Sequence, residues 1–526
     1  MNHRSAHREP LPDASRRRFL QCLGASGALA ASPGSLLALG TSVPDELVSQ
    51  ERLAADPLRP QFHLLPARNW MNDPNGPLFW KGQYHMFFQY NPHAAVWGDM
   101  HWAHAVSPDM LHWRHLPVAL TPTTGGDDAD GCFSGSAVVH EGAPTLVYTG
   151  VKSVAPAEAT LRDGTHSFRE VQCLATPGDV QLRTWQKLPA PVLLPPRDPQ
   201  LAGFRDPCLW RDGEFWYMGV GSGQYGVGGR ILLYRSTNLH SWEYLHPLAS
   251  GKRNDKQASD PVDAGEMWEC PDFFALGKKH VLLYSTERKV FWEVGEYDRK
   301  ELRFYGEQSG LLDHGAYYAP KSQVDARGRR ILWGWIPETR AEADFNASGW
   351  AGCMSLPREL TLTGTGGLGM RVIPEAAGLR DQQFTTPGRV VPIADRVKAL
   401  QRIQLRETAA ELSFSFEPKP LRVELTDGPT PLVSFSYDPS RTGRELQVNS
   451  ETVHLPARGA GDHRFQLFFD ASIVECFADD SLALTARVYR VPNGGLRVAV
   501  PDEHINALTS FSVWPLRPVS SDRLTT

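Results

Sequence analysis

The chain has 526 residues, of which 54 are basic and 59 acidic, so its net charge is -5. This length exceeds that of one ordinary domain and predicts two. The near balance of charges, without a long run of one sign, gives no reason to expect nucleic acid or an anionic membrane as a partner.

Residues 1–45 are predicted to be a targeting segment rather than part of the fold. Arg16 and Arg17 precede an apolar stretch of small residues from Cys22 to Leu39, which is similar to a twin-arginine export signal. An uncleaved membrane anchor is the weaker alternative, because Pro33-Gly34 interrupts the stretch and a span requires roughly 20 apolar residues. We therefore expect export to the periplasm or the exterior, with no stable membrane association after processing.

The remaining cysteines and the histidines show no ligand or pairing pattern. Neither a disulfide framework nor a zinc site is indicated by the spacing of the six cysteines, which are Cys132, Cys173, Cys208, Cys270, Cys353 and Cys476. His101 and His104 lack a carboxylate partner at metal-ligand spacing. The sequence therefore predicts no metal and no cofactor.

Five segments between residues 57 and 362 repeat one plan: a short head, a strand, a tight turn and a second strand. The heads are Asp73-Pro74, Phe133-Ser134-Gly135-Ser136, Arg205-Asp206-Pro207, Glu269-Cys270-Pro271 and Tyr317-Tyr318-Ala319-Pro320. Three heads carry an acid. A proline after Asp73 restricts its backbone to extended geometry and would present the carboxylate rigidly, as a nucleophile requires. An ordinary turn of Asn, Asp, Pro and Gly is the alternative for that head.

A second recurring phrase supports the repeat. It reads Met110-Leu111-His112-Trp113, Leu182-Arg183-Thr184-Trp185 and Leu239-His240-Ser241-Trp242, with the tryptophans 72 and 57 residues apart. Units of this size with about four strands are typical of propeller blades. Five heads therefore predict a five-bladed β-propeller over residues 57–362. The first strand of each blade would line the axis, so acids from three heads would meet at one mouth.

The last third of the chain is predicted to be a second β domain. Residues 363–385 are rich in glycine and are interpreted as a linker, with Pro374-Glu375 opening one or two helical turns. Residues 386–520 alternate apolar and polar residues in short strands, such as 421–425 and 473–477, which indicates a β-sandwich. The fold class is therefore all-β, a five-bladed propeller followed by a C-terminal β-sandwich.

Seven motifs in order resemble those of glycoside hydrolase family 32, which comprises invertases, inulinases, levanases and fructan exohydrolases. They are Trp70-Met71-Asn72-Asp73-Pro74-Asn75-Gly76, Gln89-Tyr90-Asn91-Pro92, Trp97-Gly98 with His101-Trp102-Ala103-His104-Ala105, Phe133-Ser134-Gly135-Ser136-Ala137, Phe204-Arg205-Asp206-Pro207, Trp268-Glu269-Cys270-Pro271-Asp272 and Ser355-Leu356-Pro357-Arg358. The resemblance covers about residues 60–520 and implies the same propeller and sandwich, with the active site at the axial mouth.

The resemblance also implies roles for the three acids. Asp73 would be the nucleophile, Glu269 the acid/base and Asp206 a carboxylate that binds sugar hydroxyls and stabilises the transition state. Retaining hydrolysis uses two carboxyl groups about 5 Å apart. Glu269 must be protonated to act first as an acid, and we expect apolar neighbours such as Trp268 to favour that form, whereas Asp73 needs hydrogen-bond donors to stay ionised.

The remaining substrate-binding positions are also implied by the resemblance. They are Trp70, Asn72, Gln89, Trp97, Phe133, Ser134, Arg205 and Trp335, whose polar groups would bind fructosyl hydroxyls and whose rings would wall the furanose. A packing role is the alternative for each. For Arg205 the alternative is a structural ion pair with Asp206.

The expected function is exo-acting release of fructose from levan or inulin, with some sucrose cleavage. An exported protein meets polymers, and a mouth closed by blade loops and a sandwich would admit a chain end more readily than a chain middle. Two alternatives stay open: a fructosyltransferase, which Trp70 disfavours, and a non-catalytic fructan-binding protein, which the three acids disfavour. The oligomeric state is not indicated by the sequence.

Overall fold

The computed structural model describes residues 48–386, 391–440, 444–455 and 461–526. The predicted export signal, residues 1–45, therefore lies outside the described residues. Two β bodies follow one another along the chain, a five-sheet propeller and a two-sheet sandwich, as the sequence predicted. No helix in the described ranges is long and apolar enough to cross a membrane.

Five sheets arranged in chain order form the propeller. The first contains β1 (Asn69–Trp80), β2 (Gln83–Asn91), β3 (His101–Ser107) and β4 (Arg114–Leu120), and the second contains β5 (Gly131–His140), β6 (Ala143–Ser153), β7 (Leu161–Arg162), β8 (Ser167–Pro177) and β9 (Trp185–Lys187). The third contains β10 (Leu201–Asp212), β11 (Phe215–Gln224), β12 (Gly228–Ser236) and β13 (Glu243–Ser250), and the fourth contains β14 (Glu269–Leu276), β15 (Lys279–Thr286), β16 (Lys289–Asp298) and β17 (Arg303–Leu311).

The fifth sheet is entered by β18 (Tyr318–Val324) and closes the ring. It continues with β19 (Arg330–Ile336), β21 (Cys353–Met354), β22 (Arg358–Leu362) and β23 (Leu368–Val372). The intervening β20 (Trp350–Ala351) pairs in parallel with β1 of the first sheet, which joins the last blade to the first. The five inner strands β1, β5, β10, β14 and β18 contact one another in sequence, and β18 contacts β1. They therefore line a common axis.

The recurring tryptophan phrase forms the turn before the last strand of a blade. In the first and third blades the tryptophan indole donates a hydrogen bond back to the first residue of the phrase, Trp113 to Met110 and Trp242 to Leu239, both at 3.0 Å. The amide of Met110 donates to the hydroxyl of Ser107, and that of Leu239 to Ser236. The first and third blades thus share this local bonding, whereas the indole nitrogen of Trp185 in the second blade has no hydrogen-bond partner among the described residues.

The sandwich packs two six-stranded sheets face to face. One sheet holds β24 (Phe384–Thr385), β26 (Ala409–Phe416), β31 (His463–Asp470), β32 (Ile473–Ala478), β33 (Leu482–Arg487) and β35 (Leu508–Pro515), and the other holds β25 (Gln404–Leu405), β27 (Leu421–Thr426), β28 (Pro431–Asp438), β29 (Glu445–Val448), β30 (Glu451–His454) and β34 (Leu496–Ala499). Alternating residues such as Leu421, Val423 and Leu425 point into the common core. This period of two is the pattern that the sequence showed.

Helices are short and peripheral. They are α1 (Gln50–Ala55), α2 (Glu342–Ser348), a 3-10 helix (Pro374–Leu379) and α3 (Ile393–Gln401). The 3-10 helix corresponds to the helical turn predicted at Pro374-Glu375. The sequence reading did not anticipate α3, which precedes the sandwich and buries Leu400 in its core.

The prediction that residues 363–385 are a linker is wrong in part. Strand β23 lies within this range and pairs with β22, so the fifth blade continues to Val372. The glycines that suggested a linker form the hairpin turn between these strands, where Gly366 has a φ of 86°. Glycine reaches that conformation without strain, which is why a tight turn has the same composition as a flexible segment.

The sandwich packs against the fourth and fifth blades through a continuous buried interface. Phe468 and Phe477 of the sandwich share an apolar cluster with Val281 and Leu332 of the propeller. At its centre lies the fully buried Arg358 on β22, which bonds to Glu475 of the sandwich. The two bodies are thus joined by a core of their own.

Candidate active site

Each inner strand carries a β-bulge at its head. The pairing with the second strand of the blade shifts between Met71 and Pro74, Phe133 and Gly135, Arg205 and Cys208, Glu269 and Asp272, and Tyr318 and Lys321. Asp206, Cys270 and Ala319, each before a proline, have positive φ values of 62°, 47° and 50°. A bulge changes the direction in which a side chain leaves the strand. Positive φ at a residue other than glycine is backbone strain, which is concentrated at functional sites. The bulges free the heads from the sheet ladder and turn them toward the axis.

Alignment on the bulges sorts the heads into two layers. The upper layer consists of Asn72, Phe133, Arg205, Glu269 and Tyr318. The lower layer consists of the next residue in each strand: Asp73, Ser134, Asp206, Cys270 and Ala319. Asp73 and Asp206 therefore occupy equivalent positions, whereas Glu269 stands one residue earlier in its strand. The three acids meet, as expected, but at two levels.

Asp73 is held by hydrogen bonds from two polar side chains. Ser134 donates its hydroxyl to one carboxylate oxygen at 2.6 Å, and the Asn72 amide donates to the other at 3.1 Å. Gln89 donates to Ser134 at 2.7 Å and accepts from Asn72 at 3.2 Å. The Trp70 indole donates to Asn72 at 2.7 Å. Four residues predicted to bind substrate thus also orient the predicted nucleophile.

Glu269 lies in surroundings that differ from the expectation. Its Oε1 accepts from Nη2 and Nε of Arg205 at 2.7 and 3.2 Å, and its Oε2 accepts from the Tyr318 hydroxyl at 2.7 Å. Trp268, the apolar neighbour in sequence, points away and stacks on Tyr284 with ring centroids 3.8 Å apart. The carboxyl is therefore positioned by polar groups of the upper layer, because adjacent residues of a strand face opposite sides.

Asp206 and Asp73 are linked through the thiol of Cys270. The sulfur lies 3.4 Å from Oδ2 of each carboxylate, and the Cys270 amide donates to Asp206 at 3.0 Å. Burial raises the pKa of this thiol well above its ordinary range, and the two carboxylates act in the same direction. The thiol is thus a buried contact between two acids, in agreement with a packing role rather than a nucleophilic one.

Negative charge exceeds positive charge among the head residues. Burial raises the pKa of Asp206 to about 7, with Arg205 opposing it and Glu269 and Asp73 adding to it. Burial also raises the pKa of Asp73, against the hydrogen bonds from Ser134 and Asn72. Arg205 is the one cation among the head residues, and it contacts three acids. It forms ion pairs with Glu269 and Glu170, and its Nε lies 3.9 Å from Oδ2 of Asp206. Such crowding is typical of sites in which carboxyl groups exchange protons.

An open pocket of about 250 Å3 lies above the head residues. The residues predicted from sequence that line it are Trp70, Asn72, Asp73, Gln89, Trp97, Phe133, Arg205, Asp206, Glu269 and Trp335. Ser134 lies beneath, bonded to Asp73. The rings of Trp70 and Trp335 form one wall, 5.8 Å apart, and those of Trp97 and Phe133 another, also 5.8 Å apart. The pocket therefore has an acidic floor and aromatic walls.

Several residues of the site were not identified from sequence, and three of them bear on its acids. Tyr318 bonds Glu269, and its place at the fifth head was a signal that could have revealed it. Glu170 is fully buried and bonds Arg205 at 2.8 Å, but no motif marks it. Asp260, from the loop before β14, lines the pocket, and burial with the charge of Glu269 raises its pKa to about 6.

No metal or cofactor was predicted, and the donor set does not suggest one. Within the ranges that the structure describes, no three His, Cys, Asp or Glu side chains are arranged to hold a metal ion. The acids of the site are bonded to Arg205, Tyr318, Ser134 and Asn72 instead. Carboxyl groups alone suffice for hydrolysis of a glycosidic bond.

Comparison with known proteins reveals similarity over most of the chain. The family model "Glycosyl hydrolases family 32 N-terminal domain" matches residues 63–370, and "Glycosyl hydrolases family 32 C terminal" matches residues 427–515. A sucrose-6-phosphate hydrolase of Escherichia coli is 36% identical over 488 residues, covering 87% of this chain and 94% of that protein. A raffinose invertase of Escherichia coli is 35% identical, covering 87% and 95%. The crystal structure of fructan 1-exohydrolase IIa from Cichorium intybus superposes with a TM-score of 0.72 at 26% identity, covering 88% and 98%.

Proposed function

Because this chain belongs to glycoside hydrolase family 32 and is a glycosidase that acts on β-fructofuranosides, we propose that it releases terminal fructose by retaining hydrolysis. In this proposal Asp73 is the nucleophile, Glu269 the acid/base and Asp206 the carboxylate that binds sugar hydroxyls. The observation that carries it is the contact of Cys270, the residue after Glu269, with both Asp73 and Asp206. Through it the three acids form one cluster at the floor of one pocket.

The first chemical step is attack on the substrate. Protonated Glu269 transfers its proton to the glycosidic oxygen while a carboxylate oxygen of Asp73 attacks the anomeric carbon of the fructosyl unit. The bond to the leaving sugar breaks, and a fructosyl ester on Asp73 forms. The donors Ser134 and Asn72 hold Asp73 as a carboxylate in a fixed orientation. Arg205 and Tyr318 hold Glu269 so that its proton can be delivered to one place.

The second step restores the enzyme. Glu269, now a carboxylate, takes a proton from water, and the water oxygen attacks the anomeric carbon and releases fructose from Asp73. Asp206 lies on the other side of the Cys270 thiol from Asp73 and would bind hydroxyls of the fructosyl unit throughout.

The shape of the pocket supports attack at a chain end. The acids lie at the floor, and the walls are aromatic on one side and formed by loop residues such as Asp260 and Val262 on the other. A chain interior would need a groove that is open at both ends. We therefore propose exo action on levan or inulin, with cleavage of sucrose because it carries the same terminal fructosyl unit.

The charge of the pocket favours neutral sugars over phosphorylated ones. Beyond the three acids, the lining includes Asp163, Asp260 and Asp263. The basic side chains near them are engaged: Arg288 forms two bonds of 3.1 Å to Asp263, and the ring of His166 is hydrogen-bonded to Asp163 at 2.8 Å. A phosphate dianion would face uncompensated like charge. Although one relative is a sucrose-6-phosphate hydrolase, we expect this chain to cleave sucrose at least about tenfold more efficiently than sucrose-6-phosphate.

Product analysis tests the proposal. Purified protein is incubated separately with levan, inulin, sucrose and sucrose-6-phosphate, and early products are separated by chromatography. Fructose as the sole early product from the polymers supports exo action, and a ladder of oligosaccharides would show endo action. Activity confined to sucrose would make the protein an invertase, and preference for sucrose-6-phosphate would contradict the charge argument. New fructosyl oligosaccharides at high sucrose would instead favour the fructosyltransferase alternative.

We also propose that the protein is exported by the twin-arginine route. The support is the sequence pattern around Arg16 and Arg17, together with six cysteines that are buried and unpaired in the described structure, as in a protein that folds before export. Replacement of both arginines by lysine should leave active enzyme in the cytoplasm. Cell fractionation measures this, and undiminished export of the double variant would point to another route.

A further inference from the structure

A second cavity, of about 270 Å3, lies along the propeller axis beyond the active-site residues. All five inner strands contribute to it with residues that follow the heads, for example Asp272 three positions after Glu269 and Lys321 three positions after Tyr318. Because a strand rises roughly 3.3 Å per residue, these positions are about 10 Å further along the axis. The cavity is therefore a separate site, toward the other end of the propeller channel.

Two cations line this cavity without an ion-pair partner among the described residues, the buried Lys321 and the half-buried Arg330. Lys321 is 2% exposed, and its ammonium donates to the Pro271 carbonyl at 2.6 Å, with no carboxylate within ion-pair distance in the described chain. Arg330 stacks over Phe274 at 4.5 Å and reaches the Ser322 hydroxyl at 3.4 Å, also without an ion pair among the described residues. Burying a cation without a counter-charge is unfavourable.

The acids of the cavity do not neutralise these cations directly. Asp272 accepts hydrogen bonds from the Ser322 amide at 2.8 Å and from the Cys208 thiol at 3.6 Å, although its charge acts on Arg330 from a distance. The other acid, Asp212, is paired with Arg299 at 2.8 Å. The lining therefore keeps an excess of positive charge.

Three residues that line the same cavity carry further hydrogen-bond donors without a partner. Trp210 Nε1, the Tyr297 hydroxyl and Arg330 Nε are buried and have no partner among the described residues. A surface that offers donors and positive charge matches a ligand that is anionic and mainly accepts hydrogen bonds. We propose that this cavity binds a phosphate-class oxyanion, either inorganic phosphate or the phosphate group of a sugar ester. The site is distinct from the catalytic pocket, whose lining is acidic.

Calorimetric titration of the purified protein tests the proposal. Sodium phosphate is injected into protein in sodium chloride of matched ionic strength, and glucose-6-phosphate is titrated in parallel. We expect saturable binding of one anion per chain, weakened at least about tenfold by Lys321→Met. The control Lys278→Met, which removes an exposed lysine from the turn between β14 and β15, should bind like the wild type. Tighter binding of one titrant identifies the free anion or the ester as the ligand.

A second variant keeps the test decisive if Lys321→Met does not fold. Tyr297→Phe removes only one hydroxyl and keeps the ring packed on Phe273, and it should also weaken phosphate binding. Saturating fructose, which the proposed function places in the catalytic pocket, should leave phosphate affinity unchanged. The proposal is overturned by the absence of saturable heat up to about 10 mM phosphate. It is equally overturned if fructose competes, or if Lys321→Met and Tyr297→Phe bind like the wild type.

Discussion

Two buried arginines, each placed between two carboxylates, have opposite environments. Arg205 bonds Glu170 and Glu269 at the floor of the pocket, and Arg358 bonds Asp313 and Glu475 between propeller and sandwich. The shortest contacts are alike, between 2.6 and 2.8 Å. What differs is how many hydrogen-bond donors the carboxylates around each arginine have and whether those carboxylates are exposed to solvent.

Around Arg358, the carboxylates of Asp313 and Glu475 each accept hydrogen bonds from several donors. Glu475 accepts from Arg358, from the Leu356 amide and from His63, and Asp313 accepts from the amide and hydroxyl of Thr485. Burial opposes ionisation of Glu475, but Arg358 and His63 lower its pKa. The pairs are completely excluded from solvent. Charges held in this way keep one protonation state and cannot exchange protons with a substrate.

Around Arg205 the acids outnumber the donors and face the pocket. The side chain of Glu269 is 21% exposed, and Asp206 has a pKa raised to about 7 by burial and by its acidic neighbours. A site that is not saturated can bind sugar hydroxyls and move a proton. Ion pairs of the same kind thus stabilise the fold where they are excluded from solvent and take part in chemistry where they face a pocket.

The largest effect is expected from removing the chemistry at the open site. Asp73→Asn and Glu269→Gln each keep shape but remove one chemical role, so each should reduce fructose release at least about 1000-fold. Turnover is measured on sucrose with purified variants, and circular dichroism checks the fold. Residual turnover above about one percent of the wild-type rate in either variant would refute its assigned role.

Removing Arg358 from its solvent-excluded cluster with Asp313 and Glu475 should destabilise the fold. Arg358→Met leaves Asp313 and Glu475 without their cation, and the free energy of unfolding should fall by about 3 to 5 kcal/mol. The matched control is Arg371→Met, which removes an exposed partner of Glu359 and should change it by less than about 1 kcal/mol. Guanidinium unfolding followed by tryptophan fluorescence measures both. Equal losses in the two variants would show that burial of the pair is not what matters.

The sealed site should also make stability depend on pH. Burial opposes the charge of His63, but Asp470 and Glu475 raise its pKa to about 9. A raised pKa stabilises the fold fully below about pH 6.5, and this contribution, on the order of 3 kcal/mol, is lost as pH rises to about 9. In His63→Gln that decline should disappear. Parallel stability profiles of the variant and the wild type between pH 6.5 and 9 would contradict this.

The smallest effect is expected at Glu170, which is buried like the acids around Arg358 but bonds the arginine of the pocket. Glu170 is not among the residues that line the pocket; its carboxylate accepts from Nη1 of Arg205 and from the Phe204 amide, and we infer that it positions Arg205 for Glu269. Glu170→Gln should lower kcat by on the order of tenfold with little change in KM, and it should shift the pH profile. Glu243→Gln, at an exposed pair with Arg235, is the control. An unchanged pH profile with only a lower melting temperature would make Glu170 purely structural.

The sequence by itself determined the repeating plan and most of the site. Heads such as Asp73-Pro74 and Arg205-Asp206-Pro207 are local signals, because a proline restricts the backbone of the residue that precedes it. Strand periodicity in the sandwich is local as well, and the predicted 473–477 became Ile473–Ala478. Five units with the same order of head, strand, turn and strand were sufficient to predict five blades around an axis.

Only the tertiary structure decided which distant side chains form hydrogen bonds with one another, at the site and between the two domains. Glu170 is 35 residues from Arg205, Tyr318 is 49 from Glu269, and Arg358 is 117 from Glu475, so no local pattern could pair them. Trp268 was expected beside the Glu269 carboxyl, but the alternation of the strand turned it to the other side. The glycines before β23 were equally compatible with a linker, because turns and linkers have the same composition. Only the pairing of β22 with β23 shows that they form a hairpin turn. Whether a buried charge is sealed or open depends on what packs over it, and packing is a property of the folded chain.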